Sequence, residues 1–224
     1  MPRIARAVAP GYPHHVTQRG NYQQNIFKDE DDYRQYKSWL ETYSRKEGLR
    51  IWAYCLMTNH VHFVCVPDRE TSLSRTFNIL HMRYSQYFNK KLGVKGHLWQ
   101  GRFFSSILDE KHLYAAVRYV ENNPLRANLV KDVKEYNWSS ARGHIEADGD
   151  PILSYDSPLS VNIRDWREYL RETDDEKLIK DIRKNGLTGR PCGNEGFIEK
   201  MEDILCRELK ANPRGRPWPK KGSI

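Results

Sequence analysis

The triplet His60-Val61-His62 and, further along, Tyr119 standing four positions before Asn123 are the residues of this chain best placed to do chemistry. Alternate side chains of a strand share a face, so His60 and His62 can offer two imidazoles to one divalent cation. A phenol beside such a cation suits cleavage of a phosphodiester. Its reference pKa is about 10, so it attacks slowly at neutral pH unless its proton is removed or its anion is stabilised. A cation at the histidines could polarise the phosphate under attack. Asn123, one helical turn after Tyr119, could add an amide oxygen. Water and substrate phosphate would complete the shell, a sparse neutral set that suits Mg²⁺ or Mn²⁺.

The same residues also fit a bland reading. A chain with 8 histidines in 224 residues holds roughly 0.3 His-x-His triplets by chance, and two such histidines can simply be hydrogen-bonded on a sheet. A helical tyrosine flanking an apolar stripe is most often a packing residue.

The flanking sequence places these residues on elements. Branched and aromatic residues fill Ile51 to Met57, Thr58-Asn59 is a polar break, and Val61 to Val66 resumes strand chemistry before Pro67. This pattern predicts a hairpin with His60 at the mouth of its second strand. Residues 110–122 read as a helix capped by Asp109, with Leu113, Ala116, Val117 and Val120 as its stripe and Pro124 ending it. His112, Tyr119 and Asn123 fall along one flank of that stripe. Tyr114 is the rival nucleophile, but it lies about 140° around the helix from Tyr119. The hydrophobic pattern predicts strand (His14 to Gln18), helix (from Asp29 to Lys46), strand (Arg50 to Leu56), strand (His60 to Val66), helix (Ser72 to Lys90), strand (Phe103 to Leu108) and the tyrosine helix. The β-α-β-β-α-β order defines an α+β, ferredoxin-like (split βαβ) fold with an antiparallel sheet, the histidine strand interior and the tyrosine helix packed nearby.

Four ordered motifs carry a family resemblance: Tyr12-Pro13-His14-His15-Val16-Thr17-Gln18-Arg19-Gly20-Asn21, Met57-Thr58-Asn59-His60-Val61-His62, Leu98-Trp99-Gln100-Gly101-Arg102-Phe103, and Arg118 to Ala127 around Tyr119. Together they resemble the HUH single-tyrosine transposases, and within them the REP-associated tyrosine transposases. The resemblance implies His60 and His62 as metal ligands. It implies Tyr119 as the nucleophile of a single-stranded DNA endonuclease and strand transferase, forming a 5′-phosphotyrosine beside a hairpin of a palindromic repeat and freeing a 3′-hydroxyl. Asn123 stands where related transposases place a glutamine ligand. The family includes monomers and homodimers that exchange tyrosine helices. A nucleic-acid-binding module of the same fold without catalysis is the alternative.

Several other residues could meet DNA. Lys90 and Lys91 open a basic, glycine-bearing loop suited to phosphate, or are ordinary solvated charges. Trp99 and Phe103 could stack on unpaired bases, or anchor their loop to the core. Arg19, Arg102 and Arg126 sit within the motifs as phosphate clamps or as structural ion-pair partners.

The net charge is +8, of which +5 falls between Arg207 and Ile224. That tail holds Arg214-Gly215-Arg216-Pro217, similar to the minor-groove element of AT-hooks; a solvated terminus explains it equally. Residues 1–145 are expected to form the HUH domain, 146–206 a loop-rich and helical extension, and 207–224 the basic tail. Ser139 to Asp165 reads as loops, residues 166–185 as one charged helix, and residues 195–209 as another. No apolar run approaches membrane-spanning length, the N-terminus lacks a secretory signal, and four cysteines show no Cys-x-x-Cys spacing. A cytoplasmic, nucleoid-associated protein is the expectation.

Overall fold

A computed structural model describes residues 6–147, 149–173 and 175–210. Along the chain run β1 (His14–Arg19), α1 (Glu30–Lys46), β2 (Leu49–Met57), β3 (His60–Pro67), α2 (Ser72–Leu92), β4 (Phe104–Ile107) and α3 (Glu110–Glu121). Six further helices follow: α4 (Asn123–Arg126), α5 (Ala141–Glu146), α6 (Pro158–Asn162), α7 (Trp166–Arg171), α8 (Glu176–Thr188) and α9 (Glu195–Leu205). The strands pair in the order β2-β3-β1-β4, each neighbour antiparallel, which is the expected ferredoxin-like arrangement. β3 is interior, so both of its faces must be covered.

Strand alternation supplies two apolar faces. Val61, Phe63 and Cys65 of β3 join Tyr36 and Leu40 of α1 and Phe77, Leu80 and Tyr84 of α2 in one core. Phe63 and Phe77 are fully buried there, worth about 1.5–3 kcal/mol each. Val64 and Val66 face the other way and meet Leu113, Ala116, Val117 and Val120 of α3. A bulge between Ile51 and Ala53 sends Trp52 and Ala53 of β2 to that same second face. The second core continues past residue 145 into the extension through Trp166, Tyr169, Leu170 and Ile182.

Local signals set the helix ends. Asp29 accepts from the Asp32 amide at 3.2 Å and Asp109 from the His112 amide at 2.9 Å, satisfying amides that have no partner within the helix. Gly93, at φ 66°, ends α2 in a left-handed conformation. The single helix expected over residues 166–185 is instead two, because Asp165 and Asp175 each cap a separate start. The expected loop before it contains α5 and α6, the latter begun by the Ser157 cap and Pro158.

Glu121, at the end of α3, is fully buried. Its carboxylate accepts from Ser140 Oγ at 2.5 Å, His144 Nδ1 at 2.7 Å and Trp166 Nε1 at 2.7 Å. These three bonds fix α3 to α5 and α7. The chain also lines both sheet edges. Cys192 bonds through its amide to the Ile107 carbonyl at 2.7 Å and accepts from the Asp109 amide at 2.9 Å. On the β2 side the Leu56 amide donates to Trp138 O at 2.8 Å, and the Ser140 and Ser154 amides reach Tyr54 O and Ile51 O at 3.0 and 2.8 Å.

Candidate active site

The interior position of β3 decides which residues can meet. Thr17 pairs with His62 and Arg19 with His60, so His15, Thr17 and Arg19 of β1 share a face with His60 and His62. That face looks toward α3. Tyr119, half-buried on the flank of α3, lays its ring edge-on to His62 at 5.7 Å and to His15 at 6.1 Å between centroids. A cleft of about 380 Å³ opens there, lined among others by the three histidines, Tyr119, Arg19 and Gln18.

Each histidine of the triplet has its Nδ1 occupied. His60 Nδ1 donates to Asn59 Oδ1 at 2.6 Å, and His62 Nδ1 lies 3.0 Å from His15 Nε2. Their Nε2 atoms are thereby the ring nitrogens that could hold a cation, since an outer partner on Nδ1 is what orients a metal-binding imidazole. Burial lowers His60 to about 4, with Arg19 adding to the effect. Burial also holds His62 well below the usual imidazole range, helped by His15, His60, Arg126 and Arg19. His15 is lowered to about 4 by burial. All three rings are neutral at neutral pH, the form that binds a cation.

The two rings lie 4.9 Å apart between centroids, and their neutral nitrogens suit a cation that draws its remaining ligands from water and phosphate oxygens. Among the described residues no three of His, Cys, Asp or Glu group as a metal site. Asn123, the first residue of α4, is not among the residues lining the cleft, and its buried Nδ2 has no hydrogen-bond partner.

The expected DNA contacts divide. Arg126 lies with its guanidinium 4.3 Å from the Tyr119 ring centroid and donates to the Tyr119 carbonyl. Arg19 lines the cleft. Lys90 and Arg102 are exposed and outside its lining. For Lys91, Trp99 and Phe103 the packing decides. Lys91 is not a free phosphate contact: its ammonium sits 2.7 Å from Asp29 and 2.6 Å from the fully buried Asp32, joining the end of α2 to the start of α1. Trp99 is a core residue rather than a base platform, since its Nε1 donates to the His81 carbonyl at 3.0 Å and its ring packs on His81. Phe103 is likewise buried, beneath the Arg6 guanidinium at 3.6 Å. Arg214 and Arg216 lie outside the described residues.

Tyr114 points elsewhere. Its hydroxyl accepts from Asn162 Nδ2 at 2.8 Å and its ring faces Tyr169, so it serves the packing of α6 and α7. Two residues of the cleft escape sequence reasoning. His15 has a signal, since alternation aligns it with Thr17 and Arg19, but only the β1–β3 pairing reveals its partner. Arg183, which reaches the cleft from α8, has no local signal at all.

A ferredoxin-like sheet bearing paired histidines opposite a helical tyrosine is the setting of the family comparison. Residues 10–123 match the model of the IS200-like transposases, and the chain belongs to that family. Among solved structures, the chain is similar to a REP-associated tyrosine transposase bound to a REP hairpin, with a TM-score of 0.52 and 19% identity, over 73% of this chain and 98% of that one. A candidate transposase from Deinococcus radiodurans R1 is 17% identical over 54% of this chain and 96% of that one, with a TM-score of 0.38. No curated protein matches. The family match ends at Asn123, so α5 to α9 lie beyond it.

Proposed function

We propose that this chain is a metal-dependent single-stranded DNA endonuclease and strand transferase that acts beside a DNA hairpin, with Tyr119 as nucleophile. The observation that carries the reading is the edge-on placement of Tyr119 against His62 in a cleft that His60 also lines. Membership of the IS200-like transposases supports it, and the hairpin bound by the REP-associated relative supports a palindromic DNA partner.

In the proposed reaction Tyr119 Oη attacks the phosphorus, the P–O3′ bond breaks, and the phenol proton ends on the departing 3′-oxygen. The product is a 5′-phosphotyrosine and a free 3′-hydroxyl. One phosphodiester replaces another, so the step is reversible and a second 3′-hydroxyl can reseal the strand. Mg²⁺ or Mn²⁺ held by His60 and His62 Nε2 would supply electrophilic polarisation of the phosphate. Asn59 and His15 hold those two rings in the ligating orientation. Arg126 anchors the Tyr119 backbone and ring, and Arg19 brings positive charge to the rim where a strand would lie.

A denaturing gel with 5′- and 3′-labelled hairpin oligonucleotides tests this, with and without Mn²⁺ or Mg²⁺, for the wild type and Tyr119→Phe. The expected result is a protease-sensitive shifted band carrying the 3′-labelled fragment, dependent on metal and absent from the variant. Cleavage by Tyr119→Phe at the wild-type rate would refute the assignment. Tight binding with no cleavage of any hairpin would favour a binding module of the same fold.

A further inference from the structure

The second half of the chain reaches into the cleft. α8 packs against β4, β1 and α3, and Ile182, Arg183, Gly186 and Leu187 join the lining. Ile182 is fully buried in the second core, which fixes the rotation of α8. Gly186 lies against the His15 ring, close enough that an added Cβ would stand 3.7 Å from His15 Nδ1. With its neighbours so seated, Arg183 places its guanidinium 5.5 Å from the centroid of the Tyr119 ring. Arg126 contacts the same ring at 4.3 Å, so two guanidinium groups from different parts of the chain meet one phenol.

The surroundings of Arg183 differ from those of an ordinary surface arginine. The lining of the cleft includes Arg19 and Arg183 but no aspartate or glutamate. Arg183 has no hydrogen bond or ion pair among the described residues, whereas Lys180, three positions earlier on α8, pairs with Glu176 at 3.2 Å. Its side chain is exposed, so its charge remains hydrated and available to an incoming anion.

We propose that Arg183 is a catalytic residue contributed by the extension, contacting the phosphate that is transferred to Tyr119. The inference rests on the Tyr119 reading above. As the Tyr119 Oη–P bond forms and the P–O3′ bond breaks, negative charge grows on the non-bridging oxygens. A guanidinium fork meets two such oxygens at once, keeps its own charge and moves no proton. Its attraction for the phosphate strengthens as that charge develops, the condition for accelerating the step rather than only binding substrate.

The test compares the wild type, Arg183→Gln, Arg183→Lys and, as a control on the outer side of α8, Lys180→Gln. Single-turnover formation of the covalent adduct on a labelled hairpin oligonucleotide is measured for each. The salt dependence of hairpin affinity is measured in the Tyr119→Phe background, where no adduct forms. Arg183→Gln should slow adduct formation about 100-fold, the order seen on removing one transition-state donor, and Arg183→Lys should recover part of that loss. The slope of log affinity against log salt should fall by about 0.7, as expected for one lost phosphate contact on a single strand. Lys180→Gln should match the wild type in rate.

An unchanged rate in Arg183→Gln beside a normal wild-type adduct overturns the catalytic assignment alone. A slowed rate with an unmoved salt slope overturns the phosphate contact. A wild type that forms no adduct on any hairpin refutes the Tyr119 reading and the catalytic assignment together.

Discussion

His15 Nε2 and His62 Nδ1 lie 3.0 Å apart across the β1–β3 pair, their rings stacked with centroids 5.2 Å apart. His62 cannot turn this nitrogen toward a cation without breaking the bond. On the proposed reading His15 is therefore a positioning residue for His62. His15→Phe keeps the stacked shape and removes the bond, and should weaken Mn²⁺ affinity about 10- to 100-fold, the cost of losing an outer partner. Titration of Mn²⁺ followed by electron paramagnetic resonance, in the presence of hairpin oligonucleotide, reads this directly. An affinity within twofold of the wild type would remove His15 from this role.

Tyr114 and Tyr119 make a paired test of helix geometry. Tyr114→Phe loses the bond from Asn162, about 1 kcal/mol of stability, and should form adduct at the wild-type rate. Adduct formation that depends on Tyr114 would mean that the face of α3 turned toward α7, not the histidine cleft, carries the chemistry.

Glu121 joins the tyrosine helix to α5 and α7 through three buried donors. Glu121→Ala leaves His144 Nδ1 and Trp166 Nε1 without their acceptor, while Ser140 Oγ keeps its bonds to Tyr54. We expect a loss of about 3–5 kcal/mol, read as a lowered denaturation midpoint. A loss under about 1 kcal/mol would show that water replaces the carboxylate at little cost.

Acid should destabilise the fold. Burial lowers His14 to about 4 and His81 to about 3, below the unfolded value of about 6.5. As pH falls beneath 6.5 the unfolded chain takes up protons that the folded chain refuses. Their contribution is thus complete above pH 6.5 and is lost on descending toward the folded values. The slope is about 1.4 kcal/mol per pH unit for each histidine kept neutral. Urea titrations at pH 7, 6 and 5 check the sign, and equal stability at all three would contradict it.

The ferredoxin-like order and the meeting of His60, His62 and Tyr119 were legible because periodicity and capping act locally. Alternation put the two histidines on one face, and Asp109 and Pro124 bounded the tyrosine helix. The roles of Lys91 and Trp99 stayed open for a shared reason: a basic or aromatic residue is assigned by its partner, and Asp32 and His81 are 59 and 18 positions away. Asn123 was placed by helical spacing from Tyr119, whereas α3 ends at Glu121 and a new short helix begins at Asn123. Arg183 was invisible because nothing near it in sequence marks the cleft 64 positions upstream.

The hydrogen bonds along both margins of the sheet have a consequence for self-association. An open strand margin is a template on which another chain can add itself, the route to runaway polymerisation in many β-containing proteins. Here residues 138–140 and 154 bond along the margin of β2, and Cys192 bonds at the Ile107 end of β4. On the β2 side a neighbouring chain thus finds the strand already partnered. Copies of the chain that came together would have to meet elsewhere than along β2.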